Sequence, residues 1–188
     1  MMEMGSAKAE SRILGEIEEL MSKNHFCVLA TVTGDGRPQS TGVIYCSKGL
    51  DIYIYTEEHS AKAKNVSRNP NVAVTIPVWG PNLFWVPPQS IQFQGVAEIL
   101  PGDNPVAREA YRFGIFLMHV DAATFETKGC FLHVRPLKRI NTYGVGVPRM
   151  TMARHPDKAN RRTPIPPSHD EMKEEHSSSV RVCARLAS

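Results

Sequence analysis

The stretch "YTEEHSAKAKNVSRNPNVAVTI" spans residues 55–76 and changes from strand-like to helix-like composition and back again. Its middle part, residues 59–68, predicts a short helix, and Ser60 is of a type that commonly caps a helix N-terminus. Asn69-Pro70 ends this helix, because the residue before a proline avoids the α-helical region of backbone conformation. Apolar β-branched runs on both sides predict strands, so the stretch predicts a strand, a helix and a second strand.

The junction between the first of these strands and the helix has the chemistry of an anion site. The first amide groups of a helix have no partners within it, and the helix dipole adds partial positive charge, so this end can accept a phosphate. Ser60 adds a hydroxyl, Lys62 adds an ammonium group, and Thr56 places a second hydroxyl at the end of the strand. An ordinary capped helix with a solvated lysine has the same residues, so the chemistry alone leaves both interpretations open.

The surrounding sequence predicts a mainly β protein. Apolar residues at helical spacing predict helices over residues 10–23 and 105–120. Alternating or β-branched runs predict six strands, over residues 25–32, 39–47, 50–56, 71–79, 90–100 and 128–136. Tight turns join the first three strands into an expected meander, and Gly95 predicts a bulge or barrel bend. Short strands mostly joined by hairpins indicate a small antiparallel barrel.

Length and composition predict one domain with an appended segment. The chain has 188 residues, of which 41% are hydrophobic, and it contains no apolar run long enough to span a bilayer. Without a secretory signal pattern, a cytoplasmic protein is expected. The folded domain is predicted over residues 1–147. Residues 148–188 are rich in proline, serine and charge, and they predict a basic arm or disordered tail.

The net charge of +3 is distributed unevenly along the chain. Residues 1–134 contain 11 Lys and Arg against 14 Asp and Glu, whereas residues 135–188 contain 11 against 5. A basic segment can attract nucleic acid through phosphate contacts. These charges are not interleaved with aromatic residues as in single-strand binders. A solvated arm is therefore the favoured interpretation, and nucleic-acid binding is not expected.

Cysteine and histidine spacing predicts no metal site. Four cysteines and seven histidines are scattered along the chain, with no CxxC, HExxH or comparable ligand spacing. Three of the cysteines lie in strand-like apolar runs, where cysteine usually acts as a small hydrophobe. His119 and His133 also lie in apolar runs, and we expect them to be structural histidines and not haem ligands.

Several short motifs follow one another in a specific order. They are a DG-x-P turn, a strand ending in threonine, an S-x-K-x-x-N helix start, an NP-x-V step and a later strand with glycine. In this chain they are Asp35-Gly36-Arg37-Pro38, Tyr53 to Thr56, Ser60 to Asn65, Asn69-Pro70-Asn71-Val72 and Gln94-Gly95. Together, over about residues 13–145, they resemble the flavin-binding split-barrel proteins related to pyridoxamine 5′-phosphate oxidase. The resemblance implies a six-stranded antiparallel split β-barrel with flanking helices.

The resemblance also implies a homodimer with FMN in each of two clefts between the subunits. By matching position, Ser60 and Lys62 would hold the FMN phosphate, with Tyr55 and Thr56 beside them. The strand Thr41-Gly42-Val43-Ile44 would offer main-chain groups to the polar edge of the isoalloxazine. Ser90 would add a polar contact to the ring.

The implied function is that of an FMN-dependent oxidoreductase acting on a small substrate. The flavin carries the hydride chemistry in such sites, so no catalytic residue is predicted. Tyr45, Tyr55 and Tyr143 stay open as proton donors or as packing residues. An F420-dependent reductase on the same fold and a non-catalytic flavin- or haem-binding protein are the alternatives.

Two departures from the family pattern bear on the substrate. Thr41 and Cys46 stand where the authentic oxidase has an arginine and a lysine, so oxidation of pyridoxamine phosphate is not expected. Phe84-Trp85, between glycine and proline residues, predicts either a lid on the substrate side of the flavin or a dimer contact.

Overall fold

A computed structural model describes residues 2–78, 88–118 and 129–166 of the chain. The helices are α1 (Met2–Lys23), α2 (Ala61–Arg68), α3 (Pro105–Met118) and α4 (Arg149–Arg154). The strands are β1 (Phe26–Val32), β2 (Pro38–Ile44), β3 (Cys46–Lys48), β4 (Asp51–Glu57), β5 (Asn71–Val78), β6 (Gln89–Pro101), β7 (Gly129–Tyr143) and β8 (Asn160–Pro164). None of the helices in these ranges is both long enough and apolar enough to cross a membrane.

The strands form an antiparallel sheet that curls on itself. Their order is β2-β1-β5-β6-β7-β4-β3, with β8 paired to β7. β2 and β3 occupy the two ends of this order, yet only Tyr45 separates them in the chain. Because consecutive Cα atoms are about 3.8 Å apart, the two ends of the order must come close together in space. The predicted mainly β, antiparallel split barrel is thereby confirmed.

The number of strands and the predicted meander need correction. The single strand expected over residues 39–47 is two strands, because β2 pairs with β1 whereas β3 pairs with β4. Tyr45 lies between them with its side chain fully buried. Apolar alternation continues through Tyr45, so the pattern did not show the change of partner. The first four strands are two hairpins at opposite ends of the strand order, and not part of one meander.

Gly95 marks a bulge, as the sequence predicted. The pairing register between β6 and β7 shifts between Phe93 and Gly95. A β-carbon at Gly95 would lie 2.7 Å from the backbone oxygen of Arg135, so a larger residue would push the two strands apart. The glycine therefore permits the close approach of β6 and β7 where the ladder is interrupted.

The core lies on the inner face of the curled sheet, and α1 packs on it. Alternate residues of β1 are buried, as expected for a strand with one face inward. In α1, Ile17 and Met21 are fully buried, and Ile13 and Leu20 pack against the core, which confirms the predicted apolar stripe. The largest other buried apolar side chains include Leu29, Ile52, Ile54, Ile76, Ile91, Leu132 and Ile140.

Residues 149–164 form elements that the sequence pattern did not show. After α4, a 3₁₀ turn at Pro156–Ala159 leads into β8, which lies beside the second half of β7. The division into a domain and an arm at residue 148 stays a prediction, although β8 extends the sheet beyond that boundary. Phe84-Trp85, His119 and the chain beyond residue 166 lie outside the described residues.

Candidate functional site

The junction between β4 and α2 brings three polar side chains into one hydrogen-bonded chain. Ser60 caps α2 with an extended backbone (φ −62°, ψ 155°), and its Oγ accepts from the backbone N–H of Ala63 at 3.3 Å. The Thr56 hydroxyl donates to Ser60 Oγ at 3.0 Å. The Lys62 ammonium group donates to Thr56 Oγ1 at 3.1 Å. We call Thr56, Ser60 and Lys62 the cradle.

The cradle contains a positive charge with only neutral partners. Among the residues that the structure describes, none of the ion pairs involves Lys62. The first turn of α2 contains no acidic side chain either. Thr56 is buried, and both Ser60 and Lys62 are half-buried, so solvent only partly screens this charge. A helix N-terminus with a hydroxyl and an unneutralised ammonium group can bind an anion.

Asn65 fixes the position of the cradle helix on the barrel. Its side chain is buried, and its amide nitrogen donates to Thr31 Oγ1 at 3.0 Å and to Gln39 Oε1 at 2.9 Å. These contacts connect α2 to β1 and β2. Asn65 was quoted in the family motif, but the sequence did not show what it contacts, because both partners lie far away in the chain. The NP-x-V step ends α2 as predicted, at Asn69.

The strand β2 presents the candidate residues Thr41–Ile44 at an edge of the described sheet. Among the described strands it pairs with β1 alone, with Thr41 opposite Leu29 and Gly42 opposite Val28. In an antiparallel pair, alternate residues direct their main-chain groups away from the partner. The outer edge of β2 can therefore offer main-chain donors and acceptors to a ligand.

Tyr111 of α3 joins this strand to the end of β4. Its hydroxyl accepts from the Tyr55 backbone N–H at 2.9 Å and donates to the Ile44 carbonyl at 3.1 Å. Burial raises the pKa of Tyr111, while its hydrogen bond with Tyr55 opposes this effect. The structure thus brings Ile44 and Tyr55 together, and Tyr55 directly precedes the cradle. The sequence offered no signal for Tyr111 beyond an aromatic residue in a predicted helix.

Ser90 lies on β6, outside the strand-to-helix junction that forms the cradle. It pairs with Pro77 on β5 and with Tyr143 on β7. The opposite end of β7 carries Cys130, which lies opposite Thr56. Ser90 and Thr56 are therefore aligned with opposite ends of β7. Eight of the nine candidate residues lie on β2, at the end of β4 or at the start of α2, whereas Ser90 lies on β6.

The tyrosines left open as proton donors have different surroundings. Tyr45 is fully buried, and its hydroxyl donates to the Met21 carbonyl at 3.0 Å. Because its ring is buried and its hydroxyl is bonded to this carbonyl, Tyr45 is a packing residue, and burial raises its pKa. Tyr55 and Tyr143 are half-buried. The ring of Tyr55 meets Phe131 edge-on, with centroids 5.3 Å apart.

His133 and the cysteines Cys27, Cys46 and Cys130 lie in the described parts of the chain. His133 is held by hydrogen bonds to Glu98 and Asp51, which agrees with a structural role. Cys27, Cys46 and Cys130 are buried, and burial raises the pKa of Cys27 to about 12. Within the described ranges, no three His, Cys, Asp or Glu side chains converge as a possible metal site.

The fold is that of the split-barrel class of proteins, and the cradle lies at its strand-to-helix junction. A family model described as pyridoxamine 5′-phosphate oxidase matches residues 13–119 of this chain. The chain belongs to this pyridoxamine 5′-phosphate oxidase-like family. No match was found among curated proteins.

Solved structures with the same fold have diverse names. General Stress Protein 26 from Bacillus anthracis is 19% identical, with a TM-score of 0.54 over 69% of this chain and 92% of its own. A haem-binding protein from Mycobacterium smegmatis is 18% identical, with a TM-score of 0.58 over 70% of this chain and 54% of its own. HutZ, a haem storage protein from Vibrio cholerae, is 19% identical, with a TM-score of 0.51 over 67% and 91%. At these identities the likeness concerns the fold.

Proposed function

We propose that this protein is an FMN-dependent oxidoreductase that acts on a small substrate. The observation that carries the proposal is the cradle, in which the Lys62 ammonium group has a neutral hydroxyl as its partner at the N-terminus of α2. In a chain of this family, a half-buried cation at a helix N-terminus suits the phosphate of a flavin nucleotide.

The residues around the cradle suit the rest of the flavin. Ser60 and Lys62 would hold the phosphate, and Thr56 orients Lys62 through its hydroxyl. The outer edge of Thr41–Ile44 would offer main-chain groups to the polar edge of the ring. Bound FMN supplies hydride transfer, so the protein contributes position, hydrogen bonding and control of water access.

We also propose that the active form is a homodimer with the cofactor between the subunits. Ser90 is the candidate that one chain does not bring to the cradle, since it lies at the opposite end of β6 and β7. A second copy could bring its own Ser90 and Tyr143 to the ring. The substrate remains unassigned, and Thr41 and Cys46 argue against pyridoxamine phosphate.

Haem is the second candidate ligand. The reason to test it is that two solved structures of the same fold are named as haem-binding or haem-storage proteins. Because the Lys62 ammonium group donates to a neutral hydroxyl, it could bind a haem propionate as well as a phosphate. F420 is the third ligand to test. Its phosphate and acidic tail are negatively charged, as is the flavin phosphate that the cradle would bind.

The visible spectrum of the purified protein tests the proposal directly. The protein should either copurify with flavin or bind added FMN with saturation and one site per chain. Parallel titrations with F420 and haem separate the alternatives, and reduction followed by reoxidation of the bound flavin separates an enzyme from a carrier. A colourless protein that binds no added FMN would exclude the proposal, and size-exclusion chromatography with light scattering tests the dimer.

A further inference from the structure

The barrel is split where the chain leaves β4, and a tyrosine hydroxyl lies at that point. The pairing of β3 with β4 sets Cys46 opposite Tyr53. Continued by two residues, the same register would set Ile44 opposite Tyr55 as a further pair of the ladder. Instead, β2 and β4 are not neighbours in the order of the described strands, and β2 pairs with β1. We call the position of Ile44 and Tyr55 the split.

The Tyr111 hydroxyl takes the place of a backbone hydrogen bond at the split. It accepts from the Tyr55 N–H at 2.9 Å and donates to the Ile44 carbonyl at 3.1 Å. A direct backbone bond would join the same two groups at about 2.9 Å. With an oxygen between them, both backbone groups have a partner while β2 and β4 remain unpaired. One side chain therefore sets the width of the split.

The ring of Tyr111 is held firmly by its surroundings. The side chain is 6% exposed and packs in a cluster with Cys46, Tyr53 and Phe131. Its ring meets that of Phe131 edge-on, with centroids 5.3 Å apart. The helix α3 is attached at its start, where Asn104 Oδ1 accepts from two backbone N–H groups at 3.1 Å. Because the ring is packed and the helix is capped, the position of the hydroxyl is well defined.

Backbone hydrogen bonds show which part of β2 borders the split. The Tyr45 N–H donates to the His25 carbonyl at 2.9 Å, so every second residue from Tyr45 backward directs its main-chain groups to β1. Ile44 and Gly42 therefore direct theirs the other way, toward the split. The Ile44 carbonyl accepts from Tyr111, so the next main-chain groups along this edge are those of Gly42.

On the other side of the split, Tyr55 leads directly into the cradle. Thr56 follows it in the chain and is hydrogen-bonded to Ser60 and Lys62. The split therefore lies between the two parts of the proposed cofactor site, the main-chain edge of β2 and the cradle. A ligand that contacts both parts depends on the distance between them, and such distances are held by supporting hydrogen bonds to within about 0.5 Å.

From this arrangement we infer that Tyr111 is a positioning residue of the cofactor site. Its hydroxyl bridges β2 and β4 and sets the distance from the Gly42 main chain to the cradle. One flavin can then bind through its ring edge and its phosphate at the same time. The inference rests on the proposed FMN site. It gives a binding role to α3, which contributes none of the candidate residues predicted from the sequence.

Tyr111→Phe tests this role, because it keeps the packed ring and removes only the hydroxyl. The Kd for FMN should rise about tenfold, and the visible circular dichroism of bound flavin should change, because the ring edge is no longer held at the same place. In the flavin-free variant, the Tyr55 amide should exchange faster with deuterium, as measured by NMR. In the natural protein, saturation with FMN should slow exchange of this amide, a measurement that needs no variant.

Tyr45→Phe is the matched control, because it removes another buried tyrosine hydroxyl, which donates to the Met21 carbonyl. It should lower the urea unfolding midpoint as Tyr111→Phe does, but leave the Kd for FMN and the circular dichroism unchanged. If FMN binds the natural protein and Tyr111→Phe alike, or if Tyr45→Phe weakens binding equally, the positioning role is overturned and the proposed function stands. So it is if FMN does not affect exchange of the Tyr55 amide. A natural protein that binds no FMN overturns the proposed function, and the positioning role with it.

Discussion

Lys62 on α2 and His133 on β7 have opposite electrostatic surroundings. Lys62 donates to a neutral hydroxyl, and among the described residues it forms no ion pair. His133 lies between two carboxylates, with Nδ1 2.7 Å from Glu98 and Nε2 2.8 Å from Asp51, and it stacks on Tyr53 at 4.7 Å. A cation whose partners neutralise it stabilises the fold. One that is left with neutral partners is available to a ligand.

The geometry of His133 also determines its charge. A neutral imidazole has only one N–H, so both short contacts to carboxylates are good hydrogen bonds only when the ring is protonated. Burial alone would lower the pKa of His133, but the hydrogen bonds and charges of Asp51 and Glu98 outweigh burial and raise it. Glu98 is also near Arg135, with 4.0 Å between Oε2 and the guanidinium nitrogen. No external ligand is needed to complete this cluster.

The largest effect is expected from Lys62→Ala. If the cradle binds FMN phosphate, the variant loses a charge-assisted hydrogen bond, which weakens FMN binding by about 1.5–3 kcal/mol. The unfolding midpoint of the flavin-free protein should change little, because Lys62 forms no ion pair with the residues that the structure describes. Flavin fluorescence titration and urea unfolding of both proteins measure the two quantities.

Lys64→Ala is the matched control for Lys62→Ala. It removes the same charge from the same helix at an exposed position, so only a small change in FMN affinity is expected. If Lys64→Ala weakens FMN binding as much as Lys62→Ala, both lysines act through long-range attraction of the anionic ligand. The cradle is then not the phosphate site.

The next largest effect is expected from Asn65→Ala, which tests what holds the cradle in place. The substitution leaves the buried Thr31 and the half-buried Gln39 without their donor, and this should destabilise the protein by about 1–3 kcal/mol. FMN affinity should fall as well, because α2 loses its connection to β1 and β2. Ser67→Ala, at an exposed position of the same helix, should change neither property. Normal stability in Asn65→Ala would mean that packing alone positions α2.

Local signals in the sequence predicted the cradle, and long-range pairing explains what the sequence missed. The N-cap at Ser60 and the helix end at Asn69 depend on neighbouring residues only, so their residue types were sufficient. The bulge at Gly95 was visible for the same reason. Strand β8 was not visible, because its five residues contain two arginines and show no clear apolar alternation.

The remaining misses depend on contacts between residues distant in the chain. The role of Asn65 requires knowing that Thr31 on β1 and Gln39 on β2 come within reach of α2. The role of Tyr111 requires knowing that α3 lies beside Ile44 and Tyr55. The change of partner at Tyr45 likewise appears only once the strand order is known. Periodicity reports which face of an element is buried, but it does not report which element covers that face.

The smallest effect is expected at His133, and it should appear as a pH dependence. Because the folded-state pKa of His133 is raised, its contribution to stability is fully present below the unfolded value of about 6.5. It is lost as the pH rises through the raised folded-state value. Both carboxylates are partly exposed, so the contribution should be about 1 kcal/mol or less.

His133→Gln removes the titrating group and keeps a polar side chain of similar reach. In urea unfolding over a pH series, the difference in free energy of unfolding between the natural protein and this variant should be largest at acidic pH and shrink as the pH rises. Lys62→Ala should show the same pH dependence as the natural protein, because the other histidines contribute equally to both. If the difference in free energy of unfolding for His133→Gln stays constant with pH, His133 is neutral between its two carboxylates. Its contrast with Lys62 would then not be that of a neutralised cation with one available to a ligand.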